Sequence, residues 1–112
     1  MNSVIFIEDG TGGTPPNSMA GSLTPSTDTC VAVGCFSAAD GETEFILGDC
    51  SEVDPGTAPY FHGELKTPSL RLALRTVVGE TILETPVAQV ETTISVWLND
   101  LREPDKVIIG ID

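Results

Sequence analysis

Ser69-Leu70-Arg71-Leu72-Ala73-Leu74-Arg75-Thr76-Val77-Val78 is the stretch on which the fold turns. Leu70, Leu72, Leu74, Thr76 and Val78 share one parity, and Arg71, Ala73, Arg75 and Val77 share the other. Successive side chains of a strand point to opposite faces, so this spacing predicts a half-buried strand with its arginines outward. Val78-Gly79-Glu80-Thr81 follows as a hairpin turn, and Ile82-Leu83-Glu84 is the returning strand.

The same pattern extends in both directions, with short apolar, β-branched runs bounded by Gly, Pro, Asn and Asp. Val4-Ile5-Phe6-Ile7 reads as a first strand. Thr29 to Phe36 and Thr43 to Leu47 read as two more, separated by the turn Ala39-Asp40-Gly41-Glu42, where Asp bonds the nearby backbone and Gly tolerates positive φ. Asp49 to Pro59 is an acidic loop turning at Asp54-Pro55-Gly56, and Tyr60 to Leu65 is a short strand. The run Trp97 to Lys106 ends one strand and turns, through Asn-Asp and Pro-Asp, into Val107-Ile108-Ile109-Gly110-Ile111. That last strand is apolar on both faces and therefore expected in the middle of its sheet.

Residues 87–101 admit two readings. Val87, Val90, Ile94, Trp97, Leu98 and Leu101 have helical spacing behind a Thr85-Pro86 start, whereas Val90, Thr92, Ile94, Val96 and Leu98 form a strand stripe. The stiffness of the β-branched side chains at χ1 favours the strand. The chain is thus expected to be all-β, a Greek-key type β-sandwich or partly open β-barrel of roughly seven or eight short strands. An α+β fold with one helix near 86–101 is the alternative.

At 112 residues the chain fits one domain with a real core. Within it, 1–28 reads as an N-terminal strand plus a long Gly/Pro/Ser/Thr-rich arm, and 29–112 as the β-sandwich core. Gly10-Thr11-Gly12-Gly13-Thr14-Pro15-Pro16-Asn17 holds neither a helix nor a central strand. It lacks G-x-G-x-x-G and G-K-[ST], and prolines stand where a phosphate-binding helix would begin. A connection this long is expected to be tied down, by an intrachain β-pairing or by a neighbouring subunit to which Val4, Ile5, Phe6 and Ile7 add as an assembly arm.

Charge narrows the function. Seventeen acidic residues face five basic ones, for a net charge of -12, and the first cation met along the chain is Lys66. A field of this sign repels phosphate backbones and anionic membranes, so direct nucleic-acid and membrane binding are disfavoured and a basic protein partner is the natural company. No run approaches the roughly 20 apolar residues that span a bilayer. The Met1-Asn2-Ser3 start has no basic region, so a cytoplasmic location, or a place in an assembled particle, is expected.

Catalytic and metal chemistry find little purchase. The sole histidine, His62, has no nucleophile motif around it. Cys30, Cys35, Cys50 and His62 lack zinc-knuckle spacing, and positions 30 and 35 point to opposite faces of one strand; reduced, apolar cysteines are expected. Asp49, Glu52 and Asp54 are candidate calcium ligands, without the D-x-D-x-D-G pattern. No cofactor is expected. The leading expectation is a non-catalytic protein-interaction domain, a stoichiometric inhibitor or immunity-type binder. Its partner-binding residues would be Asp40, Glu42, Glu44, Asp49, Glu52, Asp54, Tyr60 and Phe61. The other expectation is a structural subunit of a symmetric assembly, self-associating as a homo-oligomer. Trp97 is expected in the core.

Overall fold

Alternating side chains make eight strands and one helical turn among the residues described by this computed structural model, 3–17, 24–35, 43–102 and 104–112. They run β1 (Ser3–Asp9), β2 (Cys30–Cys35), β3 (Glu44–Asp49), α1 (Cys50–Val53), β4 (Phe61–Lys66), β5 (Arg71–Thr76), β6 (Thr81–Pro86), β7 (Glu91–Leu98) and β8 (Lys106–Ile111). Two four-stranded sheets result, ordered β2-β1-β5-β6 and β3-β8-β7-β4. The fold is an all-β sandwich. Its pairings are antiparallel except β3 with β8, which run parallel. No described helix is long and apolar enough to cross a membrane.

The core lies between the inner faces. Ile5 and Ile7 of β1, Val31, Val33 and Cys35 of β2, and Leu72 and Leu74 of β5 meet Leu65 of β4, Ile94 and Val96 of β7, and Val107 and Ile109 of β8. Each aliphatic side chain so buried contributes about 1.5–3 kcal/mol. β8 sits between β3 and β7, as its two apolar faces foretold.

Residues 91–98 are a strand, with Thr92, Ile94, Val96 and Leu98 inward; the single helical turn lies instead at Cys50–Val53, inside the expected acidic loop. In the deciding stretch Leu72 and Leu74 are buried and Arg71 and Arg75 face out, but the strand is shorter than its alternation. Leu70 takes φ 60 and is exposed, and Val77 and Val78 belong to the hairpin tip. There Gly79, at φ 92, donates its N–H to Thr76 at 3.0 Å while Thr76 donates to Glu80 at 2.9 Å. This is a turn closed by a left-handed glycine, which removes two valines from the ladder.

β1 is a central strand, paired on one side with β2 and on the other with β5. The division expected at residue 28 therefore runs through a single hydrogen-bonded unit, and within the chain Val4–Ile7 all pair with β2 while Ile5–Ile7 also pair with β5. Their β-branched side chains find burial at home, with Ile5 and Ile7 in the core. The following segment is laid back on the fold. Thr14 donates its N–H to the Thr29 hydroxyl at 2.8 Å and accepts from the Thr27 hydroxyl at 2.6 Å. Residues 25–27 run along the edge of β2, where Ala32 donates to Pro25 and Ser26 bridges Val31. β2 and β3 fall in different sheets, and the expected turn at 39–42 lies outside the described residues.

One carboxylate ties β1 to β5. Asp9, 1% exposed, accepts from the backbone and hydroxyl of Thr11 through one oxygen, and from the backbone and hydroxyl of Ser69 through the other, at 2.5–3.0 Å. Burial alone would raise its pKa; the four donors overcome that and hold it at about 2. Beside it the Arg75 guanidinium spans the Glu8 carboxylate at 3.3 Å and the carbonyls of Asp9 and Gly10 at 3.2 and 2.6 Å.

Candidate functional site

The outer face of the β3-β8-β7-β4 sheet is built in rows by the strand register. Gly48 lies beside Gly110, Gly110 beside Ser95, and Ser95 beside His62. Two adjacent glycines leave a trough, and α1 lies in it. A Cβ on Gly110 would stand 2.6 Å from Cys50 Sγ and 3.0 Å from Trp97 Cζ3, and one on Gly48 would stand 3.0 Å from Val53 Cγ1. Beyond α1 the chain turns at Gly56, φ 90, whose N–H bonds the Asp54 carboxylate at 2.7 Å. It then returns over Trp97, whose indole N–H donates to the Thr57 carbonyl at 2.9 Å. Trp97 is therefore buried, as expected, but beneath a loop on the outer face rather than between the sheets.

The next row is apolar: Ile46, Ile108 and Trp97, with Tyr60 beyond. Between the 55–60 loop and the β7–β8 hairpin it floors a cleft of about 460 Å³ lined by Pro59, Tyr60, Trp97, Leu101, Lys106 and Ile108. The volume is in the range of small-ligand and side-chain pockets. Tyr60 is 44% and Leu101 66% exposed at its rim. Asn99 stiffens the hairpin wall by donating to the Asp105 carboxylate at 2.5 Å and accepting from the backbone N–H groups of Asp105 and Lys106 at 3.1 Å.

Next to the cleft is a line of polar side chains. His62 Nδ1 lies 2.9 Å from Ser95 Oγ, and the Cys50 thiol bonds both Ser95 and Asp112. Burial, then the hydrogen bond and charge of Asp112, push the Cys50 thiol up to about 11. Burial, with Glu8 adding to it, takes Cys30 to about 12, and burial raises Cys35 against a hydrogen bond from Thr43. All three cysteines are free thiols far from the thiolate form that attacks substrates. Ser95 is 4% exposed under α1. Among the described residues no three His, Cys, Asp or Glu side chains group closely enough to hold a metal ion, so Asp49, Glu52 and Asp54 do not converge as calcium ligands.

Charge divides between the two outer faces. On the β2-β1-β5-β6 sheet Arg71 pairs with Glu84, its Nε at 2.8 Å, and Arg75 pairs with Glu8. On the other, besides Asp49, which is exposed at the end of β3 with the parity of the inward Phe45 and Leu47, Glu44, Glu52, Asp54, Glu64, Glu91 and Asp112 are all exposed. They have two lysines among them, Lys106 and Lys66, the latter 3.8 Å from Asp28.

The structure thus gathers Glu44, Glu52, Asp54 and Tyr60 on the outer side of this sheet, with Asp49 at the end of β3 just before α1. Asp40 and Glu42 lie outside the described residues. Phe61 is turned the other way and packs on the core, because it follows Tyr60 and the period of two sends it inward. The cleft residues Leu101, Pro59 and Ile108 carry no motif; only the apolar Leu101 inside a polar turn hinted at them. Comparisons with protein-family models, with curated proteins and with solved structures found no match to this chain.

Proposed function

We propose that this chain is a non-catalytic protein-interaction domain whose β3-β8-β7-β4 outer face engages a basic protein partner, as a stoichiometric inhibitor or immunity-type protein does. One observation carries the reading: the arginines of β5 serve the opposite face, and the exposed acids of the β3-β8-β7-β4 outer face and α1 outnumber Lys66 and Lys106, the lysines of its strands. Such a field steers a cationic partner and repels anionic ones. The cleft between Tyr60 and Leu101 then receives an apolar side chain of that partner, with Trp97 as its floor. Protonated thiols and a covered Ser95 favour binding over nucleophilic chemistry. Free cysteines accord with a cytoplasmic location or a place in an assembled particle.

The test is capture by the immobilised protein, with bound proteins identified at low and high salt, beside a Glu52→Lys/Glu64→Lys/Glu91→Lys variant and a Glu80→Lys control. Basic proteins should bind, leave at high salt, be lost on the triple variant and be kept by the control. A bound set that is neutral or acidic, or that ignores salt and the triple variant alike, would refute the proposal.

A further inference from the structure

The lateral edges of the sandwich are protected unequally. The edge of β2 is covered by residues 25–27, and the same segment reaches β4, where Lys66 donates to the Asp28 carbonyl at 2.9 Å. β6, the other edge of that sheet, has no such cover among the described residues, and Ile82 and Leu83 are 39% and 36% exposed on it, with Val77 and Val78 at the adjoining tip. It also lacks the lysines and inward charges that keep natural edges apart. Its one charge, Glu84, is taken up by Arg71.

We infer that β6 is a self-association edge, along which a second copy of this chain adds its own β6 antiparallel and joins the two sheets into one. The backbone is poised for it. Val87 donates its N–H to Leu70 at 2.9 Å, so by alternation Thr85 and Leu83 also turn toward β5 while Glu84 presents its N–H and C=O to the open side. Pro86, without an N–H, ends the ladder at one end, and the register slip between Leu74 and Arg75 ends it at the other. The pairing is therefore short, and the dimer weak and concentration-dependent.

Charge selects the occupant. Two copies at net charge -12 repel across the acidic face, and the β5–β6 strip, where Arg71 and Glu84 cancel, is where they meet with least opposition. A cationic partner is drawn to the opposite sheet instead, so this inference stands apart from the proposed function.

The mass of the full chain is measured by light scattering across a concentration series, at low and high salt, for wild type, Leu83→Lys, Ile82→Lys and a Leu101→Lys control, each checked for fold by circular dichroism. Wild type and Leu101→Lys should move toward twice the monomer mass as concentration rises, more readily at high salt, where repulsion is screened. Leu83→Lys should stay monomeric, although an added lysine lowers the net charge and on charge alone would favour association. Ile82→Lys decides the matter if Leu83→Lys is misfolded. A monomer under every condition, or a folded edge variant that dimerises like wild type, overturns the inference.

Discussion

Replacing Asp9 by Asn should cost the fold about 2.5 kcal/mol at neutral pH, and the cost should vanish in acid. The carboxylate sits at about 2 in the folded chain, where four donors outweigh its burial, against 3.8 when unfolded. That gap corresponds to about 2.5 kcal/mol at 1.36 kcal/mol per unit. A depressed folded value means that the stabilisation is complete above the unfolded pKa and is lost as pH falls toward the folded one. Wild type should therefore lose it between about pH 5 and pH 2, while Asp9→Asn has none to lose. Asn also turns an amide donor toward the N–H and O–H groups of Thr11 or Ser69, which adds to the neutral-pH deficit. Urea unfolding followed by the single Trp97 supplies the assay across the pH series. A variant within about 0.5 kcal/mol of wild type at pH 7, or a wild-type advantage that stays flat down to about pH 2, would refute the reasoning.

Gly110→Val should destabilise by about 1–3 kcal/mol, because its side chain needs the space of Cys50 and Trp97; acrylamide quenching of Trp97 should rise as the loop lifts. Thr67→Val should cost about 1–3 kcal/mol in chemical denaturation, since Thr67 Oγ1, fully buried, donates to Gln89 at 2.7 Å and, its proton so used, accepts from Thr92 at 2.8 Å. Alkylation of Cys50, followed by peptide mass, should be slow near pH 8 and climb about tenfold per pH unit toward its pKa of about 11; a plateau near pH 9 would show that burial and Asp112 do not hold it protonated.

Local chemistry made the strands legible. The alternation through Leu72 and Leu74, the two apolar faces of β8 and the β-branched run of β7 each carry their own period. Strand ends were harder to read, because Leu70, Val77 and Val78 continue the apolar parity while the turn around Gly79 takes the backbone away from it. Partner choice was not legible at all: nothing in Glu44–Asp49 announces a parallel mate sixty residues on, and nothing in Val4–Ile7 distinguishes a central strand from a donated one. The candidate site was half visible. Acidity marked Glu44 to Asp54 and Tyr60 stood out, but the trough depends on Gly48 meeting Gly110, a coincidence of register that neither glycine signals alone.

The strand order also sets a timetable. Every ladder of the β3-β8-β7-β4 sheet includes β7 or β8, whereas the other sheet has all four of its strands once β6 is made. During synthesis β3 and β4 must therefore wait, unpaired and two strand-widths apart, until the last hairpin slots between them. Folding should be governed by this late insertion of sequence-distant partners, and a chain stalled before residue 91 would hold half a sandwich with its inner face bare, the form on which a chaperone or a protease would act.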